Sequence, residues 1–189
     1  MPTVASPSGF VLRKNQTGQS RANAYTIASA YGSAIGYGDP VLLNTDGTLN
    51  IATAGADILG IFAGCQYTDA TGKPTFSKNW PSGTVATNIV AYVYDDPTNV
   101  FEVQVGAAGT GYVQTALGAQ ANAVFAAPNA ATGQSTSYLN ATLIAASSQG
   151  QFRIVGFGAD GMYDATLNPY PTVLVSIAQH QFIANKTAI

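Results

Sequence analysis

From Phe101 onward, the stretch Val100-Phe101-Glu102-Val103-Gln104-Val105 alternates apolar and polar side chains. That period of two is the pattern of a strand with one face buried. Downstream, Thr172 to Gln179 repeats it through Val173, Val175 and Ile177, and Ser137–Ala146 and Gln151–Phe157 also read as strands. Upstream, Asn88 to Tyr94 is a strand stopped by Asp95-Asp96-Pro97. Asp57 precedes the apolar run Ile58-Leu59-Gly60-Ile61-Phe62-Ala63-Gly64, with glycines where a neighbouring backbone can approach. Val41-Leu42-Leu43 enters Asn44-Thr45-Asp46-Gly47, a hairpin signal in which Asp-Gly supplies the positive φ of a primed turn, and Thr48 to Ala52 returns.

Other segments read less clearly. Ala24 to Ile35 alternates loosely and fits a strand, and Thr68 to Gly83 reads as a loop containing Trp80. Gly106 to Gly111 reads as a flexible connection, and Leu117 to Val124 fits either a helical turn or a strand. Ile58-Leu59-Gly60-Ile61 is echoed by Ile154-Val155-Gly156-Phe157, which would suit a pair of neighbouring strands. No long stretch joins a 3.6-residue period to helix caps. The expectation is an all-β fold, a compact β-barrel or sandwich of roughly eight to ten short strands. Residues 1–23 form an extended N-terminal arm, and residues 24–189 form a single β-rich domain in which 106–150 is an insertion or small lobe.

Charge is scarce. Charged residues are 8% of the chain, against about 25% in an ordinary soluble domain, and none stands between Val103 and Phe152. Mixed surface charge keeps free monomers apart, so this surface is expected to be covered by a partner. Net charge is −2, but Arg13, Lys14 and Arg21 precede every acid, which leaves the first 21 residues at +3 and the remainder at −5. Such a segment is either a solvated terminus or an arm that docks on an acidic surface. No run approaches eighteen consecutive apolar residues, so no membrane partner is expected. Met1 to Phe10 lacks a basic region followed by an apolar one, so no signal peptide is read there.

The residues that carry chemistry are few. One Cys and one His rule out an intrachain disulfide and a Cys/His metal cluster. A Cys65–His180 dyad is conceivable, although Cys65 ends an apolar strand and reads more simply as a core residue. Asp95 and Asp96 offer oxygen ligands to a hard cation, but adjacent acids before Pro97 read first as a turn. Gly156-Phe157-Gly158-Ala159-Asp160-Gly161 matches a dinucleotide fingerprint, yet Pro169 and Pro171 forbid the helix this mechanism needs. Seven cations cannot build a nucleic-acid track. Asn15-Gln16-Thr17, Asn140-Ala141-Thr142 and Asn185-Lys186-Thr187 match the glycosylation pattern, and without a secretion signal they read as chance.

Several segments in order resemble the head decoration, or capsid cement, proteins of tailed bacteriophages. They are Pro7-Ser8-Gly9-Phe10-Val11-Leu12, Gly38-Asp39-Pro40-Val41-Leu42-Leu43 with Asp46-Gly47-Thr48, and Ile58 to Tyr67. Phe76-Ser77 with Trp80-Pro81, Ala91 to Pro97, Val100 to Gln104, Thr132 to Ser135, Phe152 to Gly156 and Val173 to Gln181 follow. Residues 106–131 fit least well. The resemblance implies a non-enzymatic virion protein without cofactor, made in the host cytoplasm and seated on the capsid's outer face. Its partners would be the major capsid protein and further copies of itself, as a homotrimer. Phe10, Val11, Leu12, Arg13, Lys14 and Arg21 are the expected contact residues. The alternatives are a head-fibre, tail or spike component that binds host glycan through residues such as Trp80, and, more distantly, a small β-barrel hydrolase.

Overall fold

The computed structural model describes residues 3–106 and 108–183 and is almost wholly β. Thirteen strands stand among those residues, more than expected because several are only two or three residues long. They form a sandwich rather than a barrel. The first sheet runs β1 (Val11–Asn15), β8 (Asn99–Gln104), β13 (Thr172–Ile177), β12 (Phe152–Phe157), β9 (Gln120–Ala121). The second runs β2 (Asn23–Tyr25), β7 (Ala86–Tyr94), β5 (Gly60–Asp69), β3 (Pro40–Leu43), β4 (Leu49–Ile51), with β6 (Pro74–Ser77) farther along β5. A small pair, β10 (Ala123–Val124) and β11 (Tyr138–Leu139), completes the set, and all named pairings are antiparallel.

The alternation along β8 places Phe101 and Val103 inside and leaves Glu102 and Gln104 half-exposed. Val173, Val175 and Ile177 of β13 and Phe152 and Ile154 of β12 join them, and Ile58 and Ile61 meet them from the second sheet. A second core lies on the other face of that sheet, where Leu59, Phe62, Val41 and Val93 pack under Ile27, Ile35 and Trp80. Ile61 and Phe62, adjacent in sequence, therefore enter different cores. This is why the Ile58–Phe62 run is continuously apolar: its strand is buried on both faces. Each such side chain contributes about 1.5–3 kcal/mol on full burial.

Several expectations change. β2 (Asn23–Tyr25) overlaps the 24–35 stretch only at residues 24–25; a turn at Ala28–Tyr31, with Ala30 at φ +62°, breaks the remainder and drops Ile27 and Ile35 into the second core as separate anchors. The 68–83 loop contains a strand, β6. The 137–146 strand shrinks to Tyr138–Leu139. The echoing segments do not pair, because β5 and β12 belong to different sheets. Within Leu117–Val124 the strand alternative holds, as the short strands β9 and β10, and the helical turn lies just before it, a 3₁₀ turn at Gln114–Ala116. The 106–150 region has no separate core: Tyr112, Ala116, Ala121, Ala123 and Leu139 all enter the first one.

One local device recurs. In Asn15-Gln16-Thr17, Asp46-Gly47-Thr48, Asp69-Ala70-Thr71, Asp96-Pro97-Thr98, Asn140-Ala141-Thr142 and Asp164-Ala165-Thr166, the Asx oxygen accepts the backbone N–H of the residue two positions on. In four of these the threonine hydroxyl donates to the same oxygen. These are Asx turns, and they give two of the three glycosylation-like triplets a structural reason. Asn185–Thr187 lies outside the described residues. The turn between β3 and β4 is also not primed. Gly47 N–H donates to Asn44 O, Asn44 N–H to Thr48 O, and Gly47 alone has positive φ, the pattern of a type I turn followed by a left-handed glycine.

Candidate functional site

The expected arm is extended but lies on its own domain. β1 pairs with β8, and Ser6 N–H and Val4 O bond the side chain of Gln104. Phe10 is buried, its ring stacked on Phe152 at 4.3 Å between centroids and 21° between planes. Leu12 packs against the same core, whereas Val11 is half-exposed. Phe10 is therefore not offered to a partner, because the first core already uses its ring. A β-bulge between Leu12 and Lys14 places Arg13 and Lys14 outward in succession, before Asn15 turns in to donate to Asn99. Arg13 pairs with Glu102. Arg21 is exposed in the strap that carries the chain from one sheet to the other, between β1 and β2.

The outward face of the first sheet thus gathers charge. Arg153 stands opposite Ser176, between the buried Phe152 and Ile154, and so shares the outer side with Val155. Three cations, Arg13, Lys14 and Arg153, against Glu102 and Asp160, the latter bonded by the outward Thr172 hydroxyl at 3.5 Å, leave this face at +1 in a chain of net −2. The uncharged 103–152 run supplies exposed tips instead, at Asn129–Thr132 and Ala145–Ser148.

Two polar centres are buried: one, around Asp39, is unmarked by any candidate in the sequence, and the other engages Asp95, the candidate cation ligand, within the protein. Asp39 is fully buried and accepts from the Ser135 hydroxyl at 2.5 Å, the Ser137 hydroxyl at 2.7 Å and the Gly36 N–H at 2.7 Å. Burial raises its pKa against those three bonds, which lower it. Phe10 N–H donates to Gly38 O, and Gln134 Nε2 to the Ser8 and Tyr37 carbonyls, so three distant segments meet at this carboxylate. The period-two spacing of Ser135 and Ser137 was its only trace in the sequence. At the second centre, Asp95 accepts from Asn23 Nδ2 and from the Tyr25 hydroxyl. Burial, with the bonded Asp95 carboxylate, holds the Tyr25 phenol well above its ordinary pKa.

The structure does not bring Cys65 and His180 together. The Cys65 thiol sits in the second core, donates to Asn79 O at 3.5 Å and is pushed by burial up to about 12. His180 Nδ1 accepts from Phe182 N–H, so Nε2 is the protonated nitrogen and donates to Asp95 O at 2.9 Å. Burial lowers its pKa and favours this neutral ring. Both ring nitrogens are committed to backbone, as befits a strut. Asp96 is likewise committed, to Thr98. The Gly156–Gly161 segment leaves β12 through a turn closed by Gly161 N–H on Gly158 O. Trp80, considered for sugar binding, is fully buried. Comparison of the chain with protein-family models, with curated proteins and with solved structures returns no match.

Proposed function

We propose that this protein is a non-enzymatic virion component that binds the outer face of an icosahedral phage capsid and holds neighbouring capsid subunits together. The resemblance of ordered segments suggests the partner, and the observation that carries the reading physically is the outer face of the first sheet. In a charge-poor chain, that face holds Arg13, Lys14 and Arg153 on a rigid sheet, with the half-buried Leu174 and exposed Val155 between them. A basic, sheet-borne surface suits an acidic, repetitive lattice, and electrostatic complementarity would set its orientation and association rate. DNA packed inside pushes a shell outward, and a clamp across subunits resists their separation. Further copies of the chain meeting at the uncharged 103–152 run would hide polar surface that lacks charge.

The test is co-sedimentation of the purified protein with expanded capsids that lack it. Binding that saturates at a fixed copy number per capsid, weakens with salt and drops about tenfold or more in Lys14→Glu/Arg153→Glu supports the reading. Saturable binding that ignores those substitutions removes this face from the interface. Absence of capsid binding refutes the proposal.

A further inference from the structure

We propose that the free end of the second sheet carries a binding site for a neutral saccharide, with the Phe76 ring as its stacking platform. On β5, Ile61 faces the first sheet; farther along, after the bulge between Phe62 and Cys65, Gln66 points to the same side. Gln66 stands directly opposite Phe76 of β6 and Val90 of β7. The first sheet does not cover this end, and Phe76 is 81% exposed, the most exposed large apolar side chain among the described residues. Beside the ring lies a cleft of about 220 Å³ lined by Gln66, Thr68, Thr75, Asn88 and Pro74. None of its lining side chains is charged.

The polar groups are aimed into this cleft by the backbone. Between Gln66–Val90 and Thr68–Thr87 the register slips, and Asn88 takes φ +51° in the bulge. Its amide donates to Thr68 Oγ1 at 3.3 Å, while the Gln66 amide has no hydrogen-bond partner among the described residues. A pyranose offers an apolar C–H face and a rim of hydroxyls. An exposed aromatic face suits the first through its quadrupole, and amides and hydroxyls, which both donate and accept, suit the second. Because both sit on paired strands, little ordering is lost on binding.

The competing occupant, a strand of a second copy, fits poorly. Pro74 lacks the N–H that an added strand would need, and Lys73 and Lys78 flank β6. Charged lysines at both ends of an edge strand are among the devices that keep sheet edges from pairing. The inference does not rest on the capsid reading, and its site lies on the other sheet from the basic face.

Isotope-labelled protein titrated separately with maltotriose, cellotriose and triacetylchitotriose tests it by amide chemical shift. The expected result is saturable perturbation at Gln66, Thr68, Phe76 and Asn88 by at least one sugar. Phe76→Ala should weaken that binding about tenfold or more with an unchanged melting temperature, and Phe76→Tyr should retain it. No perturbation by any of the three, or full-strength binding by Phe76→Ala, overturns the proposal. Self-association that Phe76→Ala abolishes also overturns it, because the ring would then belong to a second copy.

Discussion

Replacing Phe10 by Ala separates two opposite roles for the N-terminal segment. If the segment were an arm presented to a partner, truncating this ring would weaken binding and leave the domain's stability untouched. The structure instead buries Phe10 to 1% exposure and stacks it on Phe152 at 4.3 Å. Removing a buried Phe side chain costs about 3–5 kcal/mol, transfer and cavity included. For a domain of this size, each kcal/mol lowers Tm by about 2–4 °C, so Phe10→Ala should melt roughly 6–20 °C below the parent. Guanidinium titration should show a lower midpoint with an unchanged m-value, the sign of altered stability without altered exposure. Phe152→Ala should cost a similar amount, and the double variant should fall short of the sum by about 1 kcal/mol, because each single change already breaks the stack. A Phe10→Ala protein that melts within about 2 °C of the parent would refute the packing and restore the free arm. By the same reasoning, deletion of residues 2–21 should destabilise the sandwich itself.

Three further outcomes are expected. Gly9 has φ +73°, and a Cβ there would lie 2.6 Å from Ser135 Cβ and 2.8 Å from Gly38 O, so Gly9→Ala should cost about 1–3 kcal/mol; an unchanged midpoint on denaturant unfolding would contradict that geometry. Burial raises the Asp39 pKa in the fold, so the folded state binds this proton more tightly and Asp39 favours folding increasingly as pH falls through its folded pKa towards the ordinary 3.8. The stability of the parent relative to Asp39→Asn should therefore grow between neutral pH and that range, and a constant or shrinking difference would be inconsistent. Cys65, buried with its thiol at about 12, should resist a disulfide reagent at pH 8 until the protein is unfolded in denaturant, and rapid native labelling would show the second core to be open.

The turn aspartates oppose Asp39. Hydrogen bonds within their own turns lower the pKa of Asp46, Asp69, Asp96 and Asp164. Their contribution is present above the unfolded value of 3.8 and is lost as pH falls through the folded one. Four of the nine acids thus shape turns, which leaves still fewer to charge the open surface.

Legibility in the sequence followed the range of the interactions. β8, β12, β13 and the β3–β4 hairpin were readable because burial on one face, or a local turn, writes a period into neighbouring residues. The double burial of β5 also left its mark as an unbroken apolar run. β6 was hidden because its entry depends on Asp69 gathering the Thr71 and Lys73 N–H groups, a side-chain device inside a Gly- and Lys-rich stretch. Asp39 with Ser135 and Ser137 was invisible because nearly a hundred residues separate the partners. Arg13 and Lys14 were legible as cations, but the bulge that turns both to one face was not. Phe76 read as part of a loop, and only the sheet gives it a fixed, uncovered position.

The strap from β1 to β2 has a consequence for the order in which the molecule can be made. β1 pairs with β8, and β8 in turn pairs with β13, whose last residue is Ile177. During synthesis β1 therefore stays unpaired until β8 has appeared, and the sheet is complete only after β12 and β13 have followed. Loop closure over such spans is slow, so assembly should finish as one late event, with edges exposed to stray pairing beforehand. The same topology works in reverse once the sandwich has closed. β1 cannot leave without opening the first core, which Phe10 and Leu12 help to seal beside Ile177, and persistence in the folded state is then expected to be a matter of rate.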